Sequence, residues 1–301
     1  MLQKYDPRNE HIQVYVGDRL YPRSEAKVSV FDSSVQGGDA VWEGLRVYEG
    51  GIFCLDRHLT RLRDSAKALC FANIPLLDGI KRAIFQTLEA NEMRSDTHIR
   101  LTLTRGEKIT SGMDPRLNQV GCCLIVLAEW KPPVYDNDQG IRVITSSVAR
   151  NSPQHLDSKI HHNNLLNNIL AKIQANVAGV DAAVMLDAHG FVAELNDTNL
   201  FIVKNGQLFT PHADACLPGI TRGLVLEIAQ SLDVPTREKN LSLTDFYTAD
   251  EVFATGTMGE LTAVKEIDGR LIESASSFRV LPKIIDRFRQ LNQELIEPLP
   301  F

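Results

Sequence analysis

The segment from His155 to Lys172, HLDSKIHHNNLLNNILAK, constrains the fold of this chain more than any other stretch. Its second half repeats apolar residues at helical spacing, which predicts an amphipathic helix with one face in a core. The residues of that face are Leu165, Leu166, Ile169, Leu170, Ile173 and Val177. Lys159 lies just before this helix and beside the predicted core. This position is unusual for a lysine, because a loop lysine is ordinarily solvated. Lys159 is therefore the first candidate for a functional residue.

The overall composition is that of an ordinary globular protein with room for two domains. The 301 residues are 44% hydrophobic and 23% charged, and a chain of this length can bury more than one core. A net charge of -6, with no run of Lys and Arg, argues against nucleic acid or an anionic membrane as a partner. The five cysteines form no C-x-x-C pair, the start MLQKYDPRNEH is polar, and no apolar run reaches membrane-spanning length. We therefore expect a cytoplasmic protein with no signal segment.

Short apolar strands alternate with amphipathic helices along the chain, and this pattern predicts the fold class. Hairpins are predicted at 11–21, 181–195 and 200–210, a further strand at 27–31, and helices at about 56–69, 78–92, 220–232 and 281–291. The aperiodic, proline-bearing segment 131–139 predicts a linker between a smaller N-terminal domain, 1–130, and a larger C-terminal domain, 140–301. The predicted class is α+β, with antiparallel strands and helices mixed in both domains.

Downstream of Lys159 the chain carries a carboxylate of the kind that pyridoxal phosphate chemistry needs. This chemistry uses a lysine for a Schiff base and a buried carboxylate that keeps the pyridine nitrogen protonated. Glu194 lies on a predicted strand between Val192 and Leu195, where a charge without a partner would be costly. The alternative for Glu194 is a solvated position at a strand end.

Donors for a phosphate group are predicted at a helix start and in a turn. The motif LPGITR at 217–222 opens a helix, so the backbone N–H groups of Ile220 and Thr221 and the Thr221 hydroxyl can face an anion. The same motif also serves as an ordinary helix cap. A second phosphate-binding turn is predicted at Thr255-Gly-Thr257, and Arg61 can supply a formal positive charge for the phosphate.

In this order the motifs resemble the class IV pyridoxal phosphate-dependent aminotransferases, and among these they most resemble the branched-chain aminotransferases. The motifs are RHLTRLRDSAK around Arg61, Lys159, FVAEL and TNLF around Glu194, LPGITR at 217–222 and EVFATGTMGELTAV at 251–264. The resemblance extends over residues 14–291. It implies a two-domain structure of fold type IV with pyridoxal phosphate between the domains. It also implies a homodimer or higher homo-oligomer that contributes residues across its interface.

The resemblance also assigns roles to individual residues. It makes Lys159 the Schiff-base lysine, which later moves the Cα proton, and Glu194 the partner of the pyridine nitrogen. The other cofactor-binding positions that it implies are Arg61, Asn164, Leu217, Ile220, Thr221 and Thr257. Arg100 would bind the substrate carboxylate together with the turn at Thr257 and Met258.

Four pocket positions depart from the family pattern. Asn164 stands where the family usually has a tyrosine that hydrogen-bonds the cofactor, and an amide can donate there but cannot ionise. Gly37 and His98 replace two further tyrosines, and Trp42 replaces a phenylalanine. The cofactor residues are thus retained while the pocket wall is changed, so the substrate is the least determined property.

The resemblance implies a transaminase that moves an amino group from a branched-chain or other hydrophobic L-amino acid to 2-oxoglutarate. One alternative keeps the fold but acts on D-amino acids or (R)-amines, with Arg105 binding the carboxylate. A second alternative is a lyase such as aminodeoxychorismate lyase, and a third is cofactor binding without catalysis. No metal is expected at His161 and His162, because no partner spacing supports a metal site.

Overall fold

The structure, a computed structural model, describes residues 4–272 and 279–301. The chain divides into two compact units. The N-terminal unit comprises the described residues up to Pro132 together with 160–164 and 295–301, and the C-terminal unit comprises 133–159 and the described part of 165–294. The predicted linker, 131–139, contains the first point of division, whereas 160–164 and 295–301 of the predicted C-terminal domain join the N-terminal unit. The first three residues of the predicted N-terminal domain lie outside the described residues.

The secondary-structure elements are numbered along the chain. The strands are β1 Gln13–Val16, β2 Arg19–Pro22, β3 Ala40–Tyr48, β4 Gly51–Phe53, β5 Thr97–Thr104, β6 Cys123–Trp130, β7 Ile141–Thr145, β8 Ala182–Leu186, β9 Val192–Leu195, β10 Asn199–Lys204, β11 Gln207–Thr210, β12 Thr236–Glu238, β13 Glu251–Gly256, β14 Glu260–Ile267, β15 Arg270–Leu271 and β16 Ile296–Pro298. The helices are α1 Ser33–Gly37, α2 Leu55–Ala68, α3 Leu77–Ala90, α4 Leu166–Val177, α5 Ile220–Ser231, α6 Leu243–Tyr247 and α7 Leu281–Glu294.

The N-terminal unit is built on an antiparallel sheet. Within its described residues, seven strands follow the order β16-β4-β3-β5-β6-β1-β2, and every neighbouring pair is antiparallel. Leu59 and Leu62 of α2 and Ile84 of α3 lie in one apolar core with Leu45 of β3 and Leu101 of β5. The apolar stripes of both helices thus have the buried face that their spacing predicts.

The segment 160–164 belongs to the N-terminal unit because it hydrogen-bonds to β3. Strand β4 pairs with β3 only at Val47 and Tyr48, so the start of β3 is open on that side. There the Trp42 N–H donates to the His161 carbonyl oxygen and the Asn163 N–H donates to the Ala40 carbonyl oxygen, each at 2.9 Å. These backbone bonds hold His161 beside the first residues of β3.

The C-terminal unit is built on a mixed sheet. Its described strands follow the order β12-β11-β10-β13-β14-β7-β8-β9, and β15 pairs with β14. Strand β7 is parallel to both of its neighbours, whereas β10, β13 and β14 pair antiparallel. Phe246, Leu200, Val252 and Ile267 lie together in an apolar core of this unit.

Most predicted elements are confirmed. The three hairpins correspond to β1–β2, β8–β9 and β10–β11, and the four helices correspond to α2, α3, α5 and α7. Each unit combines antiparallel strands with helices, so the α+β class is confirmed. Across residues 4–272 and 279–301, no helix has the length and apolarity needed to cross a membrane.

The strand predicted at 27–31 is wrong. These residues form an irregular segment, and Val30 and Phe31 are 71% and 47% exposed. Alternation of apolar and polar residues predicts a strand only where a neighbouring strand supplies a hydrogen-bonding ladder. No described strand pairs with this segment.

The prediction that the apolar face of α4 lies in the core is also wrong. Ile169, Leu170 and Ile173 are each about half exposed, and Leu166 and Val177 are 74% and 84% exposed. The buried face of α4 instead carries the small residues Ala171 and Ala175, which pack in a core with Ala183 and Met185 of β8. Helical spacing identifies an apolar face but does not say what covers it.

Candidate active site

Glu194 lies in β9, as predicted, with a side chain that is only 6% exposed. Arg150 donates from Nε to Oε1 at 2.5 Å, and Asn199 donates from Nδ2 to Oε2 at 3.0 Å. Burial raises the pKa of the Glu194 carboxyl, and the charge of Arg150 acts against this rise. Each carboxylate oxygen can accept more than one hydrogen bond, so Glu194 can hold a further donor.

The amide of Asn199 ties Glu194 to the turn that opens α5. Its Nδ2 also donates to the Leu217 carbonyl oxygen at 2.8 Å. Gly219 is the N-cap of α5, and a Cβ there would lie 2.1 Å from Asn199 Oδ1, so this position needs glycine. The first N–H groups of an α-helix have no intrahelical acceptor, and the helix dipole favours an anion there. Ile220 and Thr221 are the first two residues of α5 and fit the predicted phosphate site.

The second predicted phosphate segment follows β13 in the same unit. Thr255 stands opposite Asn199 in the antiparallel pairing of β13 with β10. The Thr255 hydroxyl is buried and has no hydrogen-bond partner among the described residues. Thr257 and Met258 form the turn after β13, where the Met258 carbonyl oxygen accepts from the Val134 N–H at 3.0 Å. The sheet register therefore brings the Thr255–Thr257 segment beside the strand that carries Asn199.

The side chain of Lys159 lies in a solvated position in the C-terminal unit. It is 44% exposed, and its Nζ lies 3.2 Å from Oδ1 of Asp157. The same nitrogen donates to the Asp214 carbonyl oxygen at 3.4 Å. A lysine has to lose its proton before it can attack a carbonyl carbon, and in this structure the Lys159 Nζ lies beside the Asp157 carboxylate. The Schiff-base role of Lys159 stays a prediction.

Glu43 of β3 is the centre of a buried cluster in the N-terminal unit. Its carboxylate is fully buried and accepts from Arg61 Nε at 2.8 Å and from Arg61 Nη2 at 2.7 Å. Nδ1 of His58 lies 2.7 Å from Oε2, and Nδ1 of His161 lies 3.2 Å from Oε1. Burial alone would raise the pKa of Glu43, but the charge of Arg61 and the contact with His161 hold it well below its usual range. The predicted phosphate ligand Arg61 therefore forms an ion pair with a carboxylate of its own unit.

The ionised Glu43 assigns a tautomer to both histidines. A carboxylate only accepts hydrogen bonds, so each imidazole donates from Nδ1 and keeps a lone pair on Nε2. Burial lowers the pKa of His161 to about 4 and also lowers the pKa of His58. Both rings are thus neutral at neutral pH. The His58 side chain is 1% exposed and that of His161 is 13% exposed, so His161 is the more accessible of the two.

Trp42 packs between His161 and Arg100, two residues of the N-terminal unit. The rings of Trp42 and His161 are 4.0 Å apart, and the Arg100 guanidinium lies 3.4 Å from the Trp42 ring centre. Arg100 also donates from Nη2 to Asn163 Oδ1 at 3.1 Å. Burial lowers the pKa of Arg100 to about 10, which leaves the guanidinium charged at neutral pH. The predicted carboxylate ligand and the predicted pocket wall therefore lie together.

The other predicted pocket residues of this unit are less closely grouped. His98 is buried, and burial lowers its pKa to about 3. Asn164 donates from Nδ2 to the Gly38 carbonyl oxygen at 2.9 Å, so its amide is used within the unit. Gly37 is exposed at the end of α1, and its position is open, with no atom within 4 Å of a Cβ placed there.

Arg105 is held by four hydrogen bonds within the N-terminal unit. It donates to both oxygens of Asp39 and to the carbonyl oxygens of Leu69 and Cys70. Its guanidinium also lies 4.4 Å from the Phe71 ring centre. A substrate carboxylate at Arg105, as the D-amino acid alternative requires, would have to compete with these contacts.

A family model described as amino-transferase class IV matches residues 40–267. The chain belongs to the class IV aminotransferase family. It is 57% identical over 294 residues to the branched-chain-amino-acid aminotransferase-like protein 2 of Arabidopsis thaliana, and the match covers 98% of this chain and 53% of that protein. This chain thus spans about half the length of that relative. It is also 42% identical over 285 residues to a putative branched-chain-amino-acid aminotransferase of Methanocaldococcus jannaschii, covering 93% of this chain and 96% of that one.

Solved structures of branched-chain amino acid aminotransferases share the fold of this chain. The structure of a T.th. branched-chain amino acid aminotransferase, complexed with N-(5′-phosphopyridoxyl)-L-glutamate, matches with a TM-score of 0.87 at 31% identity. The match covers 96% of this chain and 99% of that chain.

Four residues that contact the predicted site residues were not among the candidates for those roles. Arg150 lies 44 positions before Glu194 and gives no local signal of the pairing. Asn199 lies inside the quoted TNLF motif, but its two hydrogen bonds depend on tertiary structure. Glu43 stands among apolar residues in VWEGL, which is the burial signal that identified Glu194 and could have identified it as well. His161 was considered only as a metal ligand.

The first testable prediction concerns the buried ion pair. Glu43→Gln should lower the free energy of unfolding by about 3–5 kcal/mol, because it removes the carboxylate charge that the Arg61 guanidinium faces. Asp56→Asn is the matched control, since Asp56 forms an ion pair with Lys81 at the same 2.7 Å but is 73% exposed. Its loss should cost under about 1 kcal/mol. Urea unfolding of both variants measures the difference, and equal effects would contradict the assignment.

The pH dependence of that effect is a further expected outcome. The folded-state pKa of Glu43 is depressed, so its stabilisation is present above the ordinary carboxyl pKa and is lost as the pH falls through the folded-state value. The stability difference between the wild-type protein and Glu43→Gln should therefore be constant near neutral pH and narrow in acid. Urea midpoints measured over a pH series test this outcome.

Proposed function

We propose that this chain binds pyridoxal 5′-phosphate and transfers an amino group from a branched-chain or other hydrophobic L-amino acid to 2-oxoglutarate. The observation that carries this proposal is the Asn199 amide. It donates both to the buried Glu194 carboxylate and to the Leu217 carbonyl oxygen in the turn that opens α5. One side chain therefore links a carboxylate suited to a pyridine nitrogen with backbone donors suited to a phosphate.

The residues of the C-terminal unit fit the cofactor. Glu194 would accept a hydrogen bond from the protonated ring nitrogen. The N–H groups of Ile220 and Thr221 would bind the phosphate, and Thr257 would add a hydroxyl donor to the phosphate site. The Thr255 hydroxyl, which is buried and has no partner among the described residues, supports a ligand near this turn. By matched position Lys159 would bond the cofactor carbonyl, which requires its ammonium to lose a proton and leave Asp157. When bound, pyridoxal phosphate supplies the electron sink for the reaction.

The relatives support the cofactor and the substrates. The T.th. enzyme was solved with a phosphopyridoxyl derivative of L-glutamate, and L-glutamate is the product of amino transfer to 2-oxoglutarate. The relatives from Arabidopsis thaliana and Methanocaldococcus jannaschii are both named for branched-chain amino acids. We therefore favour branched-chain donors and 2-oxoglutarate as the acceptor.

The contacts of Arg100 and Arg105 favour an L-amino acid as the substrate over the D-amino acid alternative. Arg105 makes four hydrogen bonds within its unit. Within residues 4–272 and 279–301, Arg100 makes one hydrogen bond, to Asn163, and retains other N–H groups for a carboxylate. The guanidinium of Arg100 also stacks on Trp42, so a bound carboxylate would lie near an apolar wall suited to a hydrophobic side chain.

The deciding experiment is a half-reaction followed by absorbance. Purified protein saturated with pyridoxal phosphate is mixed separately with L-leucine, D-alanine and (R)-phenylethylamine. We expect L-leucine alone to convert the cofactor to its amine form, and 2-oxoglutarate to reverse the conversion. Conversion by D-alanine or the amine instead would replace the proposed substrate class. Failure to bind pyridoxal phosphate at all would refute the proposed function.

The partner of the ring nitrogen can be tested with a pair of matched substitutions. Glu194→Gln should retain cofactor but slow the L-leucine half-reaction by about 100-fold or more, because a neutral amide no longer stabilises the charged ring nitrogen. Glu251→Gln is the control, because Glu251 is also buried in the C-terminal unit but, among the described residues, accepts from the N–H groups of Val280 and Leu281. An unchanged half-reaction rate in Glu194→Gln would contradict the assigned role.

We also propose that the chain forms a homodimer or higher homo-oligomer through the exposed apolar face of α4. This face carries Leu166, Ile169, Leu170, Ile173 and Val177, all about half exposed or more. An apolar stripe of this length on a soluble helix marks an interaction surface. The resemblance to enzymes that assemble as homodimers makes a second copy the proposed occupant.

The assembly proposal predicts that a charge on this face lowers the oligomeric state. Ile173→Asp should shift the protein towards monomer in light scattering, because a buried unpaired carboxylate is costly in an apolar interface. Gln230→Asp on α5, also at an exposed helix position, should leave the mass unchanged. A monomeric wild-type protein, or an unchanged mass for Ile173→Asp, would contradict the proposal.

A further inference from the structure

We infer that Tyr135, through its hydrogen bond to Asp197, is a positioning residue that orders the turn at 255–259 for the phosphate group of the cofactor. We call residues 255–259 the phosphate turn. The inference rests on the proposed function and deepens it, because this turn supplies Thr257 to the proposed phosphate site. Tyr135, Asp197 and the phosphate turn all lie in the C-terminal unit.

The phenol of Tyr135 is bonded to a carboxylate. Its hydroxyl lies 2.8 Å from Oδ1 and 3.0 Å from Oδ2 of Asp197. Tyr135 is 8% exposed, and its burial together with the Asp197 charge raises the pKa of the phenol well above its ordinary value. Asp197 is exposed, so water can hydrate its carboxylate and favour the charged form. Tyr135 is therefore the donor, and a hydrogen bond to a charged acceptor is among the stronger ones in proteins.

Tyr135 and its neighbour in the chain contact the later part of the phosphate turn. The Val134 N–H donates to the Met258 carbonyl oxygen at 3.0 Å. The Tyr135 ring lies against Gly259, where an added Cβ would be 3.1 Å from Cδ2 of the ring. These two contacts fix the Val134–Tyr135 backbone and the phenol ring on the turn.

Asp197 belongs to the segment that covers the earlier part of the turn. The residue after it, Thr198, packs on Gly256, where an added Cβ would lie 2.8 Å from the Thr198 Cγ2. The Tyr135–Asp197 bond therefore joins the segment that contacts Gly259 to the segment that contacts Gly256. A single side-chain bond links the supports of both ends of the turn.

The phosphate turn has an unused donor and is connected to the rest of the proposed cofactor site. The Thr255 hydroxyl is buried and has no partner within the part of the chain that the structure describes, which indicates a place for an acceptor such as a phosphate oxygen. Thr255 also stands opposite Asn199 in the sheet. Asn199 donates to Glu194 and to the Leu217 carbonyl oxygen. Order in the turn is thus order in the site.

A turn that is ordered before the ligand arrives loses less conformational entropy on binding. The two glycines of this turn, Gly256 and Gly259, give its backbone more freedom than other residues would. Contacts from outside therefore have to restrict the turn. Loss of the Tyr135–Asp197 bond should leave the sheet pairings in place but should weaken the binding of a phosphate group.

The test compares pyridoxal phosphate with pyridoxal, which lacks the phosphate, in absorbance titrations. Tyr135→Phe keeps the ring against Gly259 but removes the hydroxyl. Its affinity for pyridoxal phosphate should fall about 10-fold, the effect of one lost hydrogen bond to a charged acceptor, while its affinity for pyridoxal should stay that of the wild type. Tyr247→Phe is the matched control, because Tyr247 donates to Asp268 in the same unit at 2.7 Å. This control should bind both compounds as the wild type does.

Variants of the acceptor test whether the bond itself is responsible. Asp197→Asn keeps an oxygen that can accept from Tyr135 and should retain most of the affinity for pyridoxal phosphate. Asp197→Ala should match Tyr135→Phe. The double variant Tyr135→Phe/Asp197→Ala should lose no more affinity than either single variant, because both remove the same interaction. Additive losses would contradict the inference.

A further readout uses the protein without cofactor and does not depend on activity. The Val134 amide hydrogen is protected by its bond to the Met258 carbonyl oxygen. In Tyr135→Phe this amide should exchange with deuterium faster than in the wild type or in Tyr247→Phe, because the turn opens locally more often. Equal exchange in all three proteins would show that the hydroxyl does not order the turn.

The outcomes distinguish this inference from the proposed function. If the wild-type protein binds pyridoxal phosphate and Tyr135→Phe binds it equally well, the inference is wrong and the proposed function stands. An equal loss of affinity for pyridoxal and pyridoxal phosphate would show a general structural role and would also overturn the inference. A wild-type protein that binds no pyridoxal phosphate would overturn both.

Discussion

The buried carboxylate of Glu43 organises the polar interior of the N-terminal unit. It accepts from one guanidinium and contacts two imidazoles, and these come from α2 and the segment 160–164. A buried carboxylate is stable only when its partners compensate for lost hydration, so the positions of Arg61, His58 and His161 depend on one another. The segment 160–164 is bonded both to this cluster and to the backbone of β3, which places a histidine where the sequence alone indicated only a polar turn.

In the C-terminal unit the neutral amide of Asn199 fixes the positions of its neighbours, as the Glu43 carboxylate does in the N-terminal unit. Asn199 holds the Glu194 carboxylate and the Leu217 carbonyl oxygen at the same time. The absence of a side chain at Gly219 leaves room for Asn199 Oδ1. The start of α5 and the end of β9 are therefore set in one geometry before any ligand binds, which is the preorganisation that anion binding at a helix start requires.

Local signals in the sequence predicted what depends on local physics. Apolar periodicity predicted α2, α3, α5 and α7, turn residues predicted the hairpins, and a charge among apolar neighbours predicted the burial of Glu194. Partners distant in sequence were not predictable, because the pairing of Arg150 with Glu194 and of His161 with Glu43 is set by tertiary structure. The apolar face of α4 shows the same limit, since spacing defined the face while the small residues Ala171 and Ala175 determined which side meets β8. Lys159 was selected for its position in a motif, and the structure shows that its immediate neighbour in space is Asp157.

Residues 160–164 and 295–301 belong to the N-terminal unit although they follow it in sequence. This limits how the chain can be cut into fragments that fold. A fragment ending near Pro132 would lack β16, which covers the edge of β4, and would lack the residues that bond to the start of β3. Both edges would then expose unpaired backbone groups, a condition that favours aggregation. The two units are therefore interleaved along the chain and are not independent modules, so neither can be exchanged between homologues by a single crossover. Recombination that preserves the fold has to carry all three pieces of the N-terminal unit together.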